Sequence, residues 1–368
     1  MRVKLEDVCE RGSSNIKQSD IIKMSGNYSI YGASGLAGKV NFYHQEQPYV
    51  AVVKDGAGIG RTTLNPAKSS VIGTMQYLIP KKNVLPEYLF YAVSYMHLEK
   101  YYTGATIPHI YFKDYKNEEF NLDNIEKQLE IIDVLGRCKK VIEARKQELV
   151  ELDSLTKARF VEMFGDITTG NYKYDTRKLG DVANVGSSHR VFTTEFVKKG
   201  IPFYRGTEIG ELANGNKPTE PFYISEEHYN RLVYNDTKPQ VGDLLLPSIC
   251  NKGQVWMVDT DEPFYYKDGR VLCISPDREI FDTKYLEYFM KAKTLVEYPK
   301  LGSGSTFAEF KIFLLKDIDV LIPPRELQEQ FSIFVNQVDK SKFDTMTFAP
   351  IYDIINLYLH THFYQGRR

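Results

Sequence analysis

Residues 4–14 read KLEDVCERGSS and residues 178–188 read KLGDVANVGSS, so one stretch of sequence recurs at an offset of 174. Seven of the eleven positions are identical. Further along, LDNIEKQLEI at 122–131 aligns at an offset of 200 with IPPRELQEQF at 322–331, and both contain a Glu-x-Gln pattern. Because the matches occur in the same order, they predict an internal duplication of one structural unit.

The segments between these anchors predict the same mixture of elements in both copies. GTMQYLIP at 73–80 and GRVLCISP at 269–276 each begin with a glycine and predict a strand directly after it. A short amphipathic helix is predicted after each strand. Other β-rich stretches, such as YVAVVKD and DLLLPSI, are bounded by turn residues. Each copy is therefore predicted to be a compact α+β domain with glycine-rich loops, where binding residues are usually found.

A long helix is predicted between the two copies, from about Asn124 to Phe164. The stretch has no proline, and its apolar residues recur at heptad spacing, which is typical of a helix that packs against another helix. Asp123 is the predicted N-cap, and Gly165 is the predicted left-handed residue after the last turn. A helix of about forty residues makes a rod of roughly 60 Å. The residues expected to pack along this rod are Ile131, Leu135, Cys138, Ile142, Leu149 and Leu152.

The order of elements predicts two similar α+β domains, separated by a long antiparallel helical pair that acts as a coiled-coil spacer and related by a pseudo-twofold axis. The second helix would start near Pro323. Packing of the first helix on one domain as ordinary core is the alternative. Pro350 is expected to break any helix in the tail. The predicted boundaries are a first domain at 1–121, a first spacer helix at 122–166, a second domain at 167–321, and a second spacer helix with a divergent, truncated tail at 322–368.

Composition and charge restrict the class of protein. The 368 residues carry a formal net charge of −1 and 42% hydrophobic residues, as in an ordinary globular protein. No apolar run reaches the ~18 residues that cross a bilayer, and the start of the chain lacks the pattern of a secretory signal. The low net charge means that affinity for DNA would need local basic patches or partner subunits. Four scattered cysteines predict buried free thiols in a reducing cytoplasm, namely Cys9, Cys138, Cys250 and Cys273.

Motifs for catalysis are weak in this sequence. The Pro-Pro pair at Pro323 lacks the amide and aromatic neighbours of an adenine methyltransferase motif. GAGIGRTT at 56–63 has one residue too few for a phosphate-binding loop and predicts a hairpin turn instead. Asp277, Glu309 and Lys311 match a loose metal-nuclease pattern. The sequence therefore predicts no catalytic centre and no metal site, and a metal-dependent DNA nuclease is the alternative.

Several segments resemble the specificity subunits of type I restriction-modification enzymes. The segments that carry the resemblance are GNYSIYGASGLAGKV (26–40), VVKDGAGIGRTT (52–63), GATIPHIYFKDYKNEEFNL (104–122), KARFVEMFGD (157–166) and VLIPPRELQEQF (320–331). In that family two target recognition domains alternate with two conserved helices. The resemblance implies the same order for residues up to about 342, whereas the tail beyond Lys342 departs from the family's second helix.

The resemblance implies a non-catalytic protein that binds double-stranded DNA at a bipartite site. It implies a complex with modification subunits, which bind S-adenosylmethionine and methylate adenine. It also implies restriction subunits, which cleave DNA with ATP and Mg²⁺. This chain itself would then hold no cofactor and contact no membrane. A protein–protein adaptor that works through its coiled coil is a further alternative.

Readout of DNA requires Arg or Lys for guanine, Asn or Gln for adenine, and cations for phosphate. Side chains of these types, together with one tyrosine, lie beside glycines in predicted loops of both copies. The candidates in the first copy are Tyr31, Lys39, Lys54 and Arg61. The candidates in the second copy are Arg190, Arg205, Asn251, Lys252 and Gln254.

Overall fold

The chain folds into two units that each mix helices with small, mainly antiparallel sheets. The computed structural model describes residues 1–104, 107–233, 238–249, 251–302, 308–346 and 350–364. The first unit comprises Met1–Gln147 with Thr345–Arg368, and the second unit comprises Glu148–Asp344. Since both units combine helices and strands, the predicted α+β class is confirmed.

The first unit begins with short strands and ends in a long helix. Its strands are β1 (Arg2–Lys4), β2 (Cys9–Ser13), β3 (Tyr28–Gly32), β4 (Gly35–Val40), β5 (Tyr49–Val53), β6 (Thr62–Asn65), β7 (Ser70–Val71), β8 (Met75–Pro80) and β9 (Glu119–Asn121). Its helices are α1 (Leu5–Val8), α2 (Gln18–Ile21), α3 (Pro86–Ser94), α4 (Phe112–Tyr115) and the start of α5 (Ile125–Phe164), with a 3-10 turn at Leu98–Tyr101. The helix α5 continues into the second unit.

The second unit has the same kinds of elements with additional strands. Its strands are β10 (Gly165–Asp166), β11 (Asn171–Tyr172), β12 (Thr176–Lys178), β13 (Ala183–Gly186), β14 (Phe196–Val197), β15 (Ile201–Tyr204), β16 (Phe222–Ile224), β17 (Leu244–Pro247), β18 (Trp256–Met257), β19 (Tyr265–Tyr266), β20 (Val271–Pro276) and β21 (Asp319–Leu321). Its helices are α6 (Leu179–Val182), α7 (Gly206–Ala213), α8 (Glu226–Val233), α9 (Thr283–Glu297), α10 (Ile312–Lys316) and α11 (Arg325–Met346), with 3-10 turns at Thr193–Glu195 and Tyr298–Leu301. A last helix, α12 (Pro350–Tyr364), belongs to the first unit.

The two units share one sheet topology, which supports the predicted duplication. The main sheet of the first unit has the order β2-β8-β5-β6, and that of the second unit has the order β13-β20-β17-β18. Each central strand is almost fully buried because apolar residues cover both of its faces. The predicted hairpin at GAGIGRTT is confirmed, since β5 and β6 are antiparallel neighbours on either side of it.

A two-stranded ribbon closes each unit at the offsets found in the sequence. Arg2 of β1 pairs with Asn121 of β9, and Thr176 of β12 pairs with Leu321 of β21. The first members of these pairs are 174 residues apart and the second members are 200 residues apart, as in the two sequence matches. The strands that bring the beginning and end of each domain together therefore lie directly before the two repeated sequences and share their offsets.

A buried glutamine from the first Glu-x-Gln pattern joins the start of α5 to the rest of its domain. Gln128 is fully buried, and its Oε1 accepts a hydrogen bond of 2.8 Å from the backbone N–H of Leu85, the N-cap of α3. Its Nε2 donates to the backbone oxygens of Asn83 and Asp123 at 3.0 and 2.9 Å. Both N–H donors of the buried amide and one of the two lone pairs on its oxygen are therefore used within the domain.

The second glutamine repeats this arrangement in the other unit. Gln328 is fully buried, and its Oε1 accepts from the backbone N–H of Asp282, the N-cap of α9, at 2.9 Å. Its Nε2 donates to the carbonyls of Ile280 and Pro323 at 3.0 and 2.8 Å. The same polar junction thus holds the start of a long helix in both units.

The ends of α5 agree with the prediction at one terminus and differ from it by one residue at the other. Asn124, not Asp123, caps the helix, because its Oδ1 accepts the backbone N–H of Lys127 at 2.9 Å. Asp123 instead accepts hydrogen bonds from Tyr88 and His362. After Phe164, Gly165 has the predicted positive φ of 98°. Among the described helices, no stretch has both the length and the hydropathy of a membrane-spanning segment.

The apolar residues predicted to pack along α5 are buried to different degrees. Ile131 and Leu135 are buried in the core of the first unit. The other four are half-buried, namely Cys138, Ile142, Leu149 and Leu152. The deepest contacts were not predicted, because Phe160 and Phe164 at the end of α5 are almost fully buried in the second core.

The helix α11 runs antiparallel to the last part of α5 within the second unit. The ring of Phe331, near the start of α11, lies 5.4 Å from Phe160 and 5.6 Å from Phe164 at the end of α5. Lys342, near the end of α11, pairs with the earlier α5 residue Asp153. The predicted antiparallel pairing is therefore present here, in the part of α5 that belongs to the second unit.

The tail beyond α11 contains the helix α12, which packs on the first unit. The helix α11 is described as far as Met346 and α12 from Pro350, and residues 347–349, next to the predicted break, lie outside the described residues. In α12, Leu359 and Phe363 are buried in the first core, where the Phe363 ring lies 5.0 Å from that of Tyr88. The tail therefore completes the domain that the chain began to build at its first strand.

Three of the four cysteines can be placed, and not all of them are buried as predicted. Cys9 and Cys273 are buried free thiols, whereas Cys138 is a half-buried free thiol on α5. Cys250 lies outside the described residues. Burial raises the pKa of both Cys9 and Cys273 to about 12, so these thiols are protonated at neutral pH.

Replacing Phe363 with alanine should destabilise the first unit by about 3–5 kcal/mol, since it empties a fully buried aromatic site. Leu357→Ala is the matched control, because Leu357 lies on the same helix with 66% of its surface exposed. Urea unfolding, together with hydrogen exchange of peptides from β9, measures the difference. Equal effects of the two substitutions would show that α12 is not docked through Phe363.

Thiol labelling of the native chain at pH 7.5 should modify Cys138 well before Cys9 or Cys273. The reactive species is the thiolate, and a pKa near 12 leaves almost none of it at the two buried sites. Iodoacetamide labelling with peptide mass spectrometry resolves each site, and labelling in denaturant provides the control. Native Cys9 reacting as fast as Cys138 would contradict the buried placement.

Candidate nucleic-acid interface

Loops at one end of the main sheet of the second unit line a cleft of about 690 Å³. The loop from β17 to β18, the loop from β19 to β20, and the helix α7 contribute to it. The side chains in the cleft that suit nucleic acid are Arg205, Asn214, Asn216, Lys252, Gln254, Lys267 and Arg270. The structure therefore brings together three of the predicted residues, Arg205, Lys252 and Gln254.

The cleft is basic although the chain as a whole is not. Four cationic side chains line it against one carboxylate, that of Glu211, whereas the whole chain has a net charge of −1. Lys252 is exposed and has no acidic partner in the described ranges. Concentrated positive charge in a concave surface attracts phosphates. The lining of the cleft therefore has more cations than carboxylates, although carboxylates outside the lining pair with three of the four cations, namely Arg205, Lys267 and Arg270.

Acidic side chains hold the cations of the β19–β20 loop in place. Lys267 lies 3.0 Å from a carboxylate oxygen of Asp268, and Arg190 lies 3.2 Å from the other oxygen. Burial acts to raise the pKa of Asp268, but Lys267 and Arg190 outweigh it, so this pKa is lowered and the carboxylate stays ionised. Arg270 is paired with Glu309 at 3.1 Å. Arg190 thus shares the carboxylate of Asp268 with the cleft residue Lys267, but Arg190 does not itself line the cleft.

Arg205 is a fixed positive charge in the wall of the cleft. Its Nε donates to Glu208 at 3.1 Å, its Nη2 donates to the same carboxylate, and its guanidinium stacks 4.5 Å above the Phe222 ring. Burial acts to raise the pKa of Glu208, but the bonds from Arg205 outweigh it and lower this pKa. Since the forked face of Arg205 is occupied by Glu208, this side chain suits phosphate attraction better than bidentate base readout.

Asn251 has a different role from the one predicted. Its side chain is buried, and its Nδ2 donates to the carbonyls of Pro247 and Gln254 at 3.1 and 3.2 Å. Its Oδ1 accepts the backbone N–H of Gly253 at 2.9 Å. The expectation that Asn251 reads a base is therefore corrected, because its amide is used to shape the loop that presents Lys252 and Gln254.

The predicted residues of the first unit lie on two different sheets. Tyr31 and Lys39 belong to the β3–β4 hairpin, where Tyr31 is half-buried and Lys39 is exposed. Lys54 and Arg61 flank the β5–β6 turn. The Nζ of Lys54 pairs with Asp55, which also bonds to His109 at 2.7 Å, whereas Arg61 is exposed. Of this group, Lys39 and Arg61 are the exposed cations.

The residues that the sequence interpretation missed are mainly Lys267 and Arg270. Both flank the Asp-Gly turn that precedes β20. The sequence does contain a signal for them, because GRVLCISP predicts a glycine turn before a strand and these two cations flank that turn. Asn214 and Asn216 were also missed, and both follow α7. No sequence pattern indicates where α7 lies relative to the sheet.

The nuclease alternative is contradicted by the sheet register of the second unit. Glu309 forms a bridge with Ile249, just after β17, and Pro247 of β17 pairs with Val271 at the start of β20. Asp277 follows the other end of β20, so the length of this strand separates the two carboxylates by roughly 20 Å. Asp277, Glu309 and Lys311 therefore cannot share one metal ion. In the part of the chain that is described, no group of three or more His, Cys, Asp or Glu residues is arranged to hold a metal.

Comparison with known protein sequences points to one family. The family described as the type I restriction modification DNA specificity domain matches the chain twice, over residues 1–153 and 171–350. A putative type I restriction enzyme specificity subunit of Haemophilus influenzae is 24% identical over 359 residues, covering 89% of this chain and 82% of the relative. The type I restriction enzyme MjaIX specificity subunit of Methanocaldococcus jannaschii is 22% identical over 285 residues, covering 70% of this chain and 63% of the relative.

Solved structures share the fold. The S subunit of a type I restriction-modification system from M. genitalium superposes with a TM-score of 0.63 at 13% identity, covering 98% of this chain and 94% of that one. A chain from a structure that concerns complex assembly and conformational transition of the type I R-M system has a TM-score of 0.56 at 16% identity, covering 98% and 97%. Because the family model matches most of the chain in two copies, the chain belongs to the type I restriction-modification DNA specificity family and is a specificity subunit of such a system.

Proposed function

We propose that this chain selects double-stranded DNA through the recognition loops of both units and performs no chemical step itself. The observation that carries this proposal is the basic cleft of the second unit, which places cations around the uncharged amide of Gln254. Cations attract the phosphates of any sequence, whereas an amide distinguishes one base edge from another. A surface with both kinds of group suits a sequence-selective protein.

Recognition of two unlike half-sites is supported by the different loops of the two units. The main sheets have one topology, but the turn after β5 reads KDGAGIGR and the region after β17 contains NKGQ. Two domains of the same fold with different loop residues can read different sequences with one chain. A bipartite target follows from this arrangement.

The chemical steps are proposed to belong to partner subunits. Modification subunits would use S-adenosylmethionine to methylate adenine, and restriction subunits would use ATP and Mg²⁺ to cleave DNA. Support comes from the related structure, which concerns assembly of the type I R-M system. Exposed apolar side chains along α5 also suit a protein partner, since water is a poor neighbour for them. These side chains are Leu129, Val134, Val141, Val150 and Leu155.

Lys252→Ala should weaken binding of the full chain to DNA by a similar factor for every sequence, because a lysine without an acidic partner among the described residues contributes through phosphate. The slope of log K against log salt concentration should become shallower by about 0.9. Fluorescence anisotropy with duplexes of unrelated sequence measures both quantities. Lys340→Ala, which changes an exposed lysine on α11 that does not line the cleft, is the control. An unchanged slope for Lys252→Ala would remove this lysine from the interface.

The purified chain should neither methylate DNA with S-adenosylmethionine nor cleave it with Mg²⁺ and ATP. Addition of a modification subunit should produce methylation, because the methyltransferase site lies in that partner. Radiolabel transfer and gel electrophoresis of the products measure the two reactions. Turnover by the chain alone that disappears in Asp277→Ala would contradict the proposal and revive the nuclease alternative.

A further inference from the structure

The residue that follows the β5–β6 turn has a defined position in the first unit. Val53 is the last residue of β5 and pairs with Met75, the first residue of β8. Across the hairpin, the backbone N–H of Val53 donates to the carbonyl of Arg61 at 2.9 Å. Arg61 therefore lies opposite the end of the central strand, at the mouth of the turn.

The second unit places Gln254 at the equivalent position. Pro247 is the last residue of β17 and pairs with Val271, the first residue of β20. Leu245 pairs with Trp256 of β18, and continuing this antiparallel register by two residues puts Gln254 opposite Pro247. Arg61 and Gln254 are thus counterparts in the two domains, although the two turns have unrelated sequences.

Both side chains lie across a glycine. A Cβ added to Gly58 would come within 2.2 Å of Nη2 of Arg61. A Cβ added to Gly210 of α7 would lie 2.7 Å from Nε2 and 3.1 Å from Oε1 of Gln254. Each head group therefore lies against the backbone of a glycine. A side chain at that glycine would occupy the same space.

The head groups of both residues are available to a ligand. Within the described ranges, neither the guanidinium of Arg61 nor the side-chain amide of Gln254 has a hydrogen-bond or ion-pair partner. Other cations near Gln254 are engaged, since Arg205 bonds to Glu208 and Arg270 pairs with Glu309. Apart from Lys252, the cations of the cleft are thus paired with carboxylates, whereas the planar amide of Gln254 is free within the described ranges.

We infer that this position is the base-reading position of each domain, with Arg61 reading a guanine and Gln254 reading an adenine. The inference rests on the proposed function and adds the residue and the base for each half of the target. Arg can donate two hydrogen bonds to O6 and N7 of guanine, and Gln can donate to N7 and accept from the N6 amino group of adenine. Phosphate attraction alone would not need a neutral amide inside a basic cleft.

Exchange of the two side chain types provides the test. The full-length wild type, Arg61→Gln and Gln254→Arg each select duplexes from a library with randomised sequence, alone and with the modification subunit. In Gln254→Arg, one position of one half-site should change from adenine to guanine, with a preference of roughly 5- to 150-fold. In Arg61→Gln, one position of the other half-site should change from guanine to adenine. All other selected positions should stay as in the wild type.

The outcomes separate the inference from the proposed function. A wild type that selects no sequence with or without its partner overturns both. A selective wild type whose base preferences are unchanged in the two variants overturns the inference alone. A variant that loses preference throughout its half-site, while its circular dichroism and thermal midpoint match the wild type, also counts against a single read base.

A glycine substitution tests the seating of Gln254 without changing the reading group. Gly210→Ala should lower the preference for adenine at the same position by displacing the amide, while leaving the other half-site unchanged. Gly136→Ala is the matched control, because it is also a glycine within a helix and a Cβ there meets nothing within 4 Å. Equal preference in Gly210→Ala and the wild type would contradict the proposed placement of Gln254.

Discussion

Two buried glutamines are the constraint on which both recognition domains depend. Gln128 and Gln328 each tie the first turn of a long helix to the loop that starts the preceding shorter helix of the same domain. A buried amide that loses its partners costs about 1–3 kcal/mol for each unsatisfied group. Each long helix therefore cannot rotate or slide at its start without breaking several bonds together, and the closing ribbon beside it stays in register.

Much of this arrangement could be predicted from the sequence because the repeated residues make the same contacts in both units. The two offsets correspond to the paired ribbon strands, and the shared Glu-x-Gln pattern contains the buried glutamine of each unit. Local signals were also sufficient for Gly165, where the chain leaves the helix with positive φ. Such features depend on near neighbours in the chain, which a sequence displays directly.

The remaining features depend on contacts between distant residues. Asn251 is a residue type that can read a base, but its amide is used in three local hydrogen bonds. These bonds form only when the loop is folded. Asp123 does not cap α5, and its carboxylate instead accepts hydrogen bonds from Tyr88 and His362, which are distant in the sequence. Likewise, the net charge of the chain gives no indication of the cleft, since the cations of that surface come from separate segments that meet only after folding.

The return of α12 to the first unit has a consequence for biosynthesis. Leu359 and Phe363, which fill the same core as the residues of β9, are translated about 240 residues after that strand. At 5–20 residues per second, the interval between them is on the order of 10 to 50 seconds. During that time the nascent first domain has an unfilled apolar site, while the second domain already has its own core. The first domain in the sequence is thus completed only after all residues of the second core have been translated.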